Sequence, residues 1–548
     1  MTPPADCPRF FRKPWTFWFM VAVLAFVAVV RLRLLDFPLE RDEGEYAYAG
    51  QLMLQGVPPY ELAYNMKFPG TYAAYALIMA VFGQTPAGIH LGVLCMITLT
   101  ALMLYWLGKK ILDETAGIVA ATAYAILAAS PSMLGLAGHA THFVAFFITA
   151  GLCVMWRARQ DGSWFPAFAS GLLFGTAILM KQHAAIIAAW AGLSFAIACG
   201  RKSGQPWSRR LVAIAACALG VITPFGLCCL ILWHAGVFGT FWFWTVDYAR
   251  QYTSVVALSE ASGRFWRRFP WVVSTTALLW LLAAAGAGLM WFDERLKPAR
   301  LWLLGFSLVS ALTIVPGFYF RPHYFLVTLP ALALLAGCAI SVINGMQKQA
   351  DNQTHFRSLL MLVYMLFLAA IVFINSDIWI RLNPLQAARE VYGREPFPEA
   401  QAVADYIRTH TLPEAKVVVL GSEPEIYFLA HRHSATGYIY TYALLEAQPF
   451  ALTMQDEMIG EIQTHVPEFI VYIESATSWG IKPDPNTRIL TWWKSYKTNY
   501  VSVTLDGILS STNYMSGGVS NFGKPSSQTN FDQLAIFRRK PEINHPWK

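Results

Sequence analysis

Long apolar runs dominate the first two thirds of this chain, and short polar or basic stretches separate them. An α-helix needs about 17–25 apolar residues to cross a bilayer, and these runs have about that length. We therefore predict about eleven transmembrane helices. They cover residues 15–35, 86–107, 115–133, 140–156, 165–180, 184–199, 211–234, 271–292, 301–317, 323–343 and 357–376.

The pattern changes after residue 376, where short apolar runs of strand length alternate with amphipathic helical stretches. This alternation is typical of an α/β domain. A stretch rich in Gly, Ser and Asn at 507–532 predicts a long loop. The predicted elements are strands at 416–421, 468–473, 501–506 and 533–538 and helices at 398–410, 425–431 and 453–464.

Composition agrees with a membrane protein. Of 548 residues, 56% are hydrophobic and only 14% are charged, whereas soluble proteins carry about 25% charged residues. We predict a polytopic α-helical membrane protein with a C-terminal soluble α/β domain. Its two domains are a transmembrane module at 1–376, with a long outer loop at 36–85, and an extracytoplasmic domain at 377–548.

Basic residues exceed acidic ones in 1–376, and the balance reverses in 377–548. The basic excess therefore indicates membrane topology and not nucleic-acid binding. A cytoplasmic N-terminus places most basic residues of the first part inside, which favours that orientation. The segments 36–85 and 235–270 and the C-terminal domain then lie outside the cytoplasm.

Acidic residues cluster directly after the first apolar run. Charge at a membrane edge is costly and usually serves binding or chemistry. We expect this cluster to lie in a loop at the outer boundary of the bilayer. Its five carboxylates fall within ten positions, at Asp36, Glu40, Asp42, Glu43 and Glu45.

Asp42 and Glu43 are candidates for a general base that takes a proton from an incoming hydroxyl or amine. Lys67 follows in the same outer segment, and Pro58-Pro59 permits the chain to fold back towards the acidic cluster. A cation beside a carboxylate would suit an anionic headgroup such as a phosphate. The alternative is an ordinary juxtamembrane ion pair between Asp42 and Lys67.

Three further polar groups lie on the predicted outer side. The turn Lys181-Gln182-His183 either caps its helices or lines a cavity between them. Arg321-Pro322-His323-Tyr324 either holds a phosphate or anchors a helix at the interface. His139 and His142 share one helical face, and their spacing favours the polar lining of a cavity over a metal site.

The sequence lacks a Walker loop, a GxGxxG turn before a helix and a GxSxG elbow. Coupling to nucleotide hydrolysis is therefore unsupported.

Several of these motifs occur together, in an order and spacing that resemble the GT-C superfamily of membrane glycosyltransferases. The most similar branch is the bacterial dolichyl-phosphate-mannose protein mannosyltransferase-like group, which also contains the lipid A aminoarabinose transferase. The residues that carry the resemblance are Asp42-Glu43, Tyr46-Ala47, Lys67-Phe68-Pro69-Gly70, Lys181-Gln182, His323-Tyr324-Phe325-Leu326 and Leu329-Pro330.

The resemblance implies an enzyme that moves a sugar from a polyprenyl-phosphate carrier to an acceptor, with inversion, on the outer face of the bacterial cytoplasmic membrane. Asp42 would act as the base, supported by Glu43, and Lys67 would contact the donor phosphate. The remaining site residues implied for donor and lipid phosphate are Tyr46, Lys181, Gln182, Arg321, His323 and Tyr324.

The implied partners are the lipid-linked donor, a glycan, lipid or protein acceptor, and membrane lipids, but no nucleic acid. No cofactor is expected, and a divalent metal ion stays open. The chain departs from the aminoarabinose transferase at Glu45, where that enzyme has an arginine. It also lacks a carboxylate in His139–His142, at the mouth of the fourth helix, where many relatives carry one.

Two other classes of function fit the composition. A transporter or flippase of lipid-linked glycans would need polar groups near the bilayer midplane, whereas here they cluster at the ends of the apolar runs. A non-catalytic scaffold would bind glycan through the C-terminal domain. Release of free polyprenyl phosphate by the purified protein would distinguish an enzyme from both.

Overall fold

The computed structural model of this chain describes residues 14–200, 206–346, 353–480, 488–504 and 534–541. Helices form most of the first part, and most predicted apolar runs are helical. These helices are α1 (Trp15–Arg33), α2 (Arg41–Leu54), α3 (Gly70–Phe82), α4 (Pro86–Ile111), α5 (Glu114–Ala128), α6 (Ala140–Asp161), α7 (Trp164–Met180), α8 (Ala184–Gly200), α9 (Trp207–His234), α10 (Phe238–Trp242), α11 (Ala249–Ser254), α12 (Leu258–Ser274), α13 (Ala277–Leu289), α14 (Arg300–Leu312), α15 (Leu329–Met346) and α16 (Gln353–Ile374).

The remainder of the chain combines helices with strands, as the alternating pattern predicts. The helices are α17 (Pro384–Tyr392), α18 (Phe397–Thr409), α19 (Glu425–Ala430), α20 (Tyr442–Leu445), α21 (Ala451–His465), α22 (Ala476–Trp479) and α23 (Arg488–Tyr496). The strands are β1 (Lys416–Leu420), β2 (His433–Ser434), β3 (Phe469–Ile473), β4 (Tyr500–Val503) and β5 (Leu534–Arg539). The predicted loop 507–532 lies outside the described residues.

The chain forms two compact units. The first, here called the helical unit, comprises Met1–Arg33, Leu91–Leu227 and Leu258–Arg381. The second, the mixed unit, comprises Leu34–His90, Cys228–Ala257 and Leu382–Lys548. The mixed unit thus contains most of the two long predicted outer segments together with the C-terminal residues. The division of the sequence into 1–376 and 377–548 rests on composition and stays a prediction.

Small residues let the helices of the helical unit pack closely. A Cβ atom added to Gly286 of α13 would lie 1.9 Å from the carbonyl oxygen of Leu335 in α15. A Cβ atom at Gly337 of α15 would lie 2.3 Å from the carbonyl oxygen of Ala116 in α5. Close backbone approach at small residues is how helices associate where lipid removes the hydrophobic driving force.

Among the described residues, five helices are long and apolar enough to cross a membrane: Trp15–Arg33, Pro86–Ile111, Ala140–Gln160, Trp207–His234 and Pro322–Met346. Shorter apolar helices occupy other predicted crossings, at Glu114–Leu127, Trp164–Met180, Ala184–Gly200, Arg300–Leu312 and Leu359–Ile374. The protein is therefore a multi-pass membrane protein. The predicted total of about eleven crossings depends on these shorter helices.

The prediction of one straight helix at 271–292 was wrong. The helix Leu258–Ser274 and the segment Ala277–Phe292 meet at 107°. Together they have the length and composition of one membrane crossing. The break falls at two threonines, and Pro270 lies in the last turn of α12. The charged residues of α12 give it a polar average composition, so it does not appear as an apolar run in the sequence.

A five-stranded sheet lies within the mixed unit, in the order β2-β1-β3-β5-β4. Strand β1 runs parallel to β2 and β3, whereas β5 is antiparallel to β3 and β4. Val417 pairs with Phe469, and Ile470 pairs with Phe537. The central strands are almost wholly buried, which is why they appear as continuous apolar runs in the sequence. The predicted α/β fold of this region is confirmed.

Helix α2 packs tightly on α19 within the same unit. A Cβ atom added to Gly44 would lie 2.5 Å from the backbone nitrogen of Glu425. Only glycine permits this approach, so the start of α2 is fixed against the segment that follows β1. Residues Glu43 to Leu52 of α2 are all buried. The predicted acidic loop is therefore a buried helix, and the prediction of a loop was wrong.

Candidate active site

The acidic residues form the first turn of α2 because Glu40 caps the helix. The side chain of Glu40 accepts a hydrogen bond from the backbone N–H of Glu43, and Glu43 accepts in return from the N–H of Glu40. This reciprocal arrangement is a capping box, which usually begins with Ser or Thr. Glutamate is not a preferred N-cap residue, so the start signal was hidden in the sequence.

Asp42 and Glu45 lie three residues apart, and this spacing puts both carboxylates on one face of α2. The Lys67 ammonium bridges them, at 2.8 Å from Asp42 Oδ1 and 2.5 Å from Glu45 Oε2. Tyr72 donates a hydrogen bond to the other oxygen of Glu45 at 2.5 Å. The structure thus brings Asp42 and Lys67 together as the sequence predicts, and it adds Glu45.

The segment between α2 and α3 places Lys67 beside these carboxylates. The hydroxyl of Tyr60 donates to the backbone carbonyl of Lys67 at 2.7 Å. Tyr60 has a positive φ of 68°, and its side chain is buried. Pro58-Pro59 precedes this residue, so the predicted fold-back of the segment occurs at this point.

Aromatic rings surround the Lys67 ammonium. It lies 4.6 Å from the ring centroid of Tyr46 and 5.6 Å from that of Tyr440. Cation–π contacts of this length stabilise a partly desolvated cation. The predicted site residue Tyr46 is therefore in place beside Lys67. The Tyr46 ring is itself buried, and its link to the charged cluster is this contact with the Lys67 ammonium.

The three charged groups of this cluster differ in accessibility. The side chain of Asp42 is 13% exposed and that of Lys67 is 24% exposed, whereas Glu45 is fully buried. Burial lowers the pKa of Lys67, but Asp42 and Glu45 outweigh it and hold that pKa well above its usual value. Burial raises the pKa of Glu45 against the opposing effect of Lys67. Asp42 is thus the carboxylate that an incoming group can reach.

Glu43 points to a different part of the mixed unit. Its Oε1 lies 3.1 Å from Nε2 of His90, and Nδ1 of that histidine lies 2.8 Å from the carbonyl oxygen of Leu35. A carbonyl only accepts, so Nδ1 carries a proton. One proton is then shared between Nε2 and the carboxylate. These contacts fix the helix start, so any support that Glu43 gives Asp42 acts through the position of α2.

Arg41 ties the same helix start to the C-terminal residues. Its guanidinium donates to the carbonyl of Ser422 at 2.7 Å and to Glu423 at 2.8 Å, and it lies 3.1 Å from Glu395. Glu423 is fully buried and also accepts from the hydroxyl of Ser478 at 2.6 Å. Hydrogen bonds to buried charges of this kind are strong and directional.

A second polar group forms within the helical unit. His323 and Tyr324 lie on a short 3-10 helix, Pro322–Thr328, that leads into α15. The Lys181 ammonium lies 3.8 Å from the ring centroid of Tyr324. His323 stacks on His139, with ring centroids 4.2 Å apart. The structure thus assembles three separated sequence motifs in one place.

Two of these side chains, Lys181 and Tyr324, also line a small cavity. Its lining combines a cation, a histidine and hydroxyls with apolar residues. Burial, aided by Lys181, lowers the pKa of His183 to about 3, so this ring is neutral at physiological pH. The residues around the cavity are Thr141, Val144, Lys181, His183, Ala184, Thr313, Tyr324 and Val327.

The turn at Lys181 both begins a helix and lines the cavity. The backbone carbonyls of Lys181, Gln182 and His183 accept the first N–H groups of α8, while two of the three side chains line the cavity. Gln182 is half-buried in the turn. The Arg321 guanidinium lies 5.6 Å from the ring centroid of Tyr319.

Sequence reasoning missed two members of the Asp42 cluster. Glu45 had a usable signal, since its spacing from Asp42 places both on one helical face once the helix is recognised. Tyr440 had none, because it approaches from almost 400 residues away. Its hydroxyl donates to the carbonyl of Arg41 at 2.9 Å and lies 3.3 Å from Asp42 Oδ1.

Comparison with known proteins identifies the class of fold. Residues 67–233 match the family model described as dolichyl-phosphate-mannose-protein mannosyltransferase. The solved structure of ArnT from Cupriavidus metallidurans bound to undecaprenyl phosphate is 15% identical, with a TM-score of 0.58. The match covers 96% of this chain and 99% of that one. The apo ArnT structure gives 16% identity and a TM-score of 0.55, over 96% and 98% of the two chains.

The archaeal oligosaccharyltransferase AglB from Archaeoglobus fulgidus, in complex with an inhibitory peptide and a dolichol-phosphate, is also similar. It is 13% identical with a TM-score of 0.52, and the match covers 90% of this chain and 73% of that one. The chain therefore has the membrane fold of the GT-C glycosyltransferases. Within that class it is similar to ArnT over almost its full length, so the resemblance predicted from the motifs is confirmed.

Proposed function

We propose that this protein is an inverting glycosyltransferase that moves a sugar from a polyprenyl-phosphate carrier to an acceptor. The observation that supports this most is Asp42, a partly exposed carboxylate that two hydrogen-bond donors hold at a helix start in a chain with this fold. The structural relatives that were solved with undecaprenyl phosphate and dolichol-phosphate support a lipid phosphate as the carrier.

In the proposed reaction Asp42 accepts the proton of the acceptor hydroxyl or amine. The deprotonated atom attacks the anomeric carbon from the face opposite the phosphate. The bond between that carbon and the phosphate oxygen breaks, and the phosphate leaves on its lipid. An aligned carboxylate and a cation near the leaving group both stabilise the oxocarbenium-like transition state.

Lys67 has two tasks in this scheme. An ammonium has three N–H donors, and two of them point to Asp42 and Glu45. A nearby positive charge favours the charged form of a carboxylate, which is the form that a base needs. We assign the remaining donor to an oxygen of the donor phosphate, which keeps the role that the sequence predicts for Lys67.

The polar group of the helical unit is assigned to the lipid phosphate. The Lys181 ammonium and the Tyr324 hydroxyl line a cavity that also contains neutral His183. A neutral histidine adds a hydrogen bond without a further charge to desolvate. His323, Gln182 and Arg321 complete the set that the motifs predict for the lipid side.

The site is assigned to the extracytoplasmic face of the bacterial inner membrane. The excess of basic residues in the predicted cytoplasmic loops supports this orientation. The donor sugar, hexose or pentose, is left to experiment. The acceptor is a glycan, lipid or protein with a nucleophilic hydroxyl or amine.

The direct test is a turnover assay on the purified full-length protein. It is incubated with a panel of polyprenyl-phosphate sugars and candidate acceptors, and freed polyprenyl phosphate and glycosylated acceptor are measured by mass spectrometry. We expect release with at least one donor and a loss of about 10² to 10⁴-fold in Asp42→Asn. A parallel sample with chelator measures metal dependence.

Two results would contradict the proposal. Movement of intact donor across a bilayer without release of carrier would identify a transporter. Full turnover by a correctly inserted Asp42→Asn variant would remove this carboxylate from the mechanism.

A further inference from the structure

We propose that Tyr440 is a positioning residue for Asp42, so that the C-terminal segment of the chain forms part of the catalytic site. This inference rests on the proposed function, because it assigns Asp42 a catalytic role. The sequence left the task of the C-terminal residues open, and the GT-C comparisons assign none to them. The structure gives them a specific contact with the reactive carboxylate.

The contact is made by one hydroxyl that faces two acceptors. Tyr440 Oη lies 2.9 Å from the carbonyl oxygen of Arg41 and 3.3 Å from Asp42 Oδ1. Both acceptors lack a proton to give, so the tyrosine is the donor in each bond. Burial and the charges of Glu45 and Asp42 raise the pKa of Tyr440 well above its usual value. The hydroxyl therefore keeps its proton and remains a donor at every working pH.

The position of Tyr440 is fixed by its neighbour in the chain. Thr441 donates its backbone N–H to the hydroxyl of Ser422 at 3.0 Å, and its own hydroxyl donates to the carbonyl of Ser478 at 3.2 Å. Ser422 lies in the turn directly after β1 and is fully buried. Tyr440 lies in the connection between β2 and α20, and the two hydrogen bonds of Thr441 hold that connection beside Ser422 and Ser478.

A second link joins the same two segments. Arg41, the residue before Asp42, donates to the carbonyl of Ser422 and to the carboxylate of Glu423. Its guanidinium also lies 5.4 Å from the ring centroid of Phe397. The turn after β1 therefore holds the side chain of Arg41. Through Thr441 it also holds Tyr440, whose hydroxyl contacts Asp42. The orientation of the Asp42 carboxylate therefore depends on two parts of the chain that are almost 400 residues apart.

This arrangement has a kinetic consequence. A hydrogen bond to a carboxylate favours its charged form and lowers its pKa. Tyr440→Phe removes that bond, so the pKa of Asp42 rises. Since Asp42 must be ionised to act as a base, the acidic limb of the kcat/KM profile moves to higher pH. A bond to a charged group corresponds to a shift of about one pKa unit.

The experiment compares full-length Tyr440→Phe with wild type and with Tyr500→Phe. Tyr500 is a matched control, because its hydroxyl donates to the carbonyl of Pro467 at 2.9 Å in the same sheet domain. We expect Tyr440→Phe to lower kcat about tenfold near neutral pH, with a smaller change in KM. Its acidic limb should move up by about one pH unit, whereas Tyr500→Phe should keep the wild-type profile.

A second measurement does not need activity. The thermal midpoints of Tyr440→Phe, Asp42→Asn and the double variant form a cycle, and side chains in contact give shifts that fail to add. Additive shifts, or an unmoved acidic limb in Tyr440→Phe, would overturn the positioning role. Absence of any wild-type turnover would instead overturn the proposed function, while the cycle would still decide whether Tyr440 acts on Asp42.

Discussion

Asp42 and Glu45 contact the same ammonium, yet only the side chain of Asp42 is partly exposed. Glu45 is enclosed by Lys67 and Tyr72, and none of its side chain is exposed. The side chain of Asp42 is 13% exposed. At the scale of single residues, burial therefore distinguishes two otherwise similar carboxylates, and this difference supports the proposal that Asp42 is the reactive one and that Glu45 holds Lys67.

This division predicts a ranking of two variants. Glu45→Gln keeps the shape of the side chain but removes its charge, so Lys67 stays with Asp42 alone. We expect kcat/KM to fall about tenfold, far less than in Asp42→Asn, where loss of a general base removes about 10² to 10⁴-fold.

The measurement is steady-state transfer by each purified variant. Glu61→Gln is the control, since Glu61 is an exposed carboxylate of the same segment. If Glu45→Gln were as inactive as Asp42→Asn, the assignment of Asp42 as the sole reactive carboxylate would be wrong.

At the scale of elements, the placement of α2 decides where Asp42 lies. The helix begins with an unusual Glu40 cap and approaches α19 at Gly44. Neither feature relies on the apolar periodicity that marks the other helices. The start of α2 is thus fixed by contacts within the mixed unit.

Gly44→Ala tests this contact. The added Cβ would lie 2.5 Å from a backbone nitrogen, which cannot move as a flexible side chain does. We expect a loss of about 1–3 kcal/mol of stability and reduced transfer, because α2 must shift. Gly192→Ala in α8 is the matched helical control, since its Cβ would meet open space.

Thermal midpoints and transfer rates of both variants measure the effect. A Gly44→Ala protein with a wild-type midpoint would show that the backbones are further apart than the structure has them.

Glu461 in α21 should make the stability of the protein depend on pH. Burial raises the pKa of Glu461 to about 7. A raised pKa means that its stabilising contribution is complete below the unfolded value of about 4.3 and is lost as pH rises through about 7. We expect the thermal midpoint of the wild type to fall between pH 5 and 8. In Glu461→Gln this fall should be smaller.

Glu468→Gln is the control for that measurement, because its side chain is more than one-third exposed. An unchanged pH dependence in Glu461→Gln would assign the effect to another group.

Much of the architecture could be predicted, because long apolar runs and buried strands leave periodic signals. α2 could not, since a helix rich in Glu and capped by Glu resembles a polar loop. The pairing of Asp42 with Lys67 could be predicted from proximity along the chain. Tyr440 and the Arg41–Glu423 pair could not, because nothing local in the sequence records a contact between positions almost 400 residues apart.

At the scale of the whole molecule, the apolar helices and the fold define a multi-pass membrane protein. The proposed orientation of the chain rests on the distribution of basic residues, and it would determine on which side a lipid-linked donor is presented.

Labelling of single cysteines tests this orientation in a background without the eight native cysteines. Glu61→Cys, in the predicted outer segment, should react with a membrane-impermeant maleimide on intact spheroplasts. Lys297→Cys is 72% exposed as lysine and should react only in inside-out vesicles. The reverse pattern would place the acidic cluster in the cytoplasm and refute the assigned face.

The contact between Tyr440 and Asp42 also bears on how the protein is made. A ribosome reaches position 42 early and adds position 440 about 20 to 80 s later, at about 5–20 residues per second. Until then α1 is already entering the bilayer, and Asp42 lacks the hydroxyl that we propose to orient it. A chain released prematurely would accordingly be an inserted but catalytically impaired product, so full activity would begin only after synthesis has passed the sheet domain.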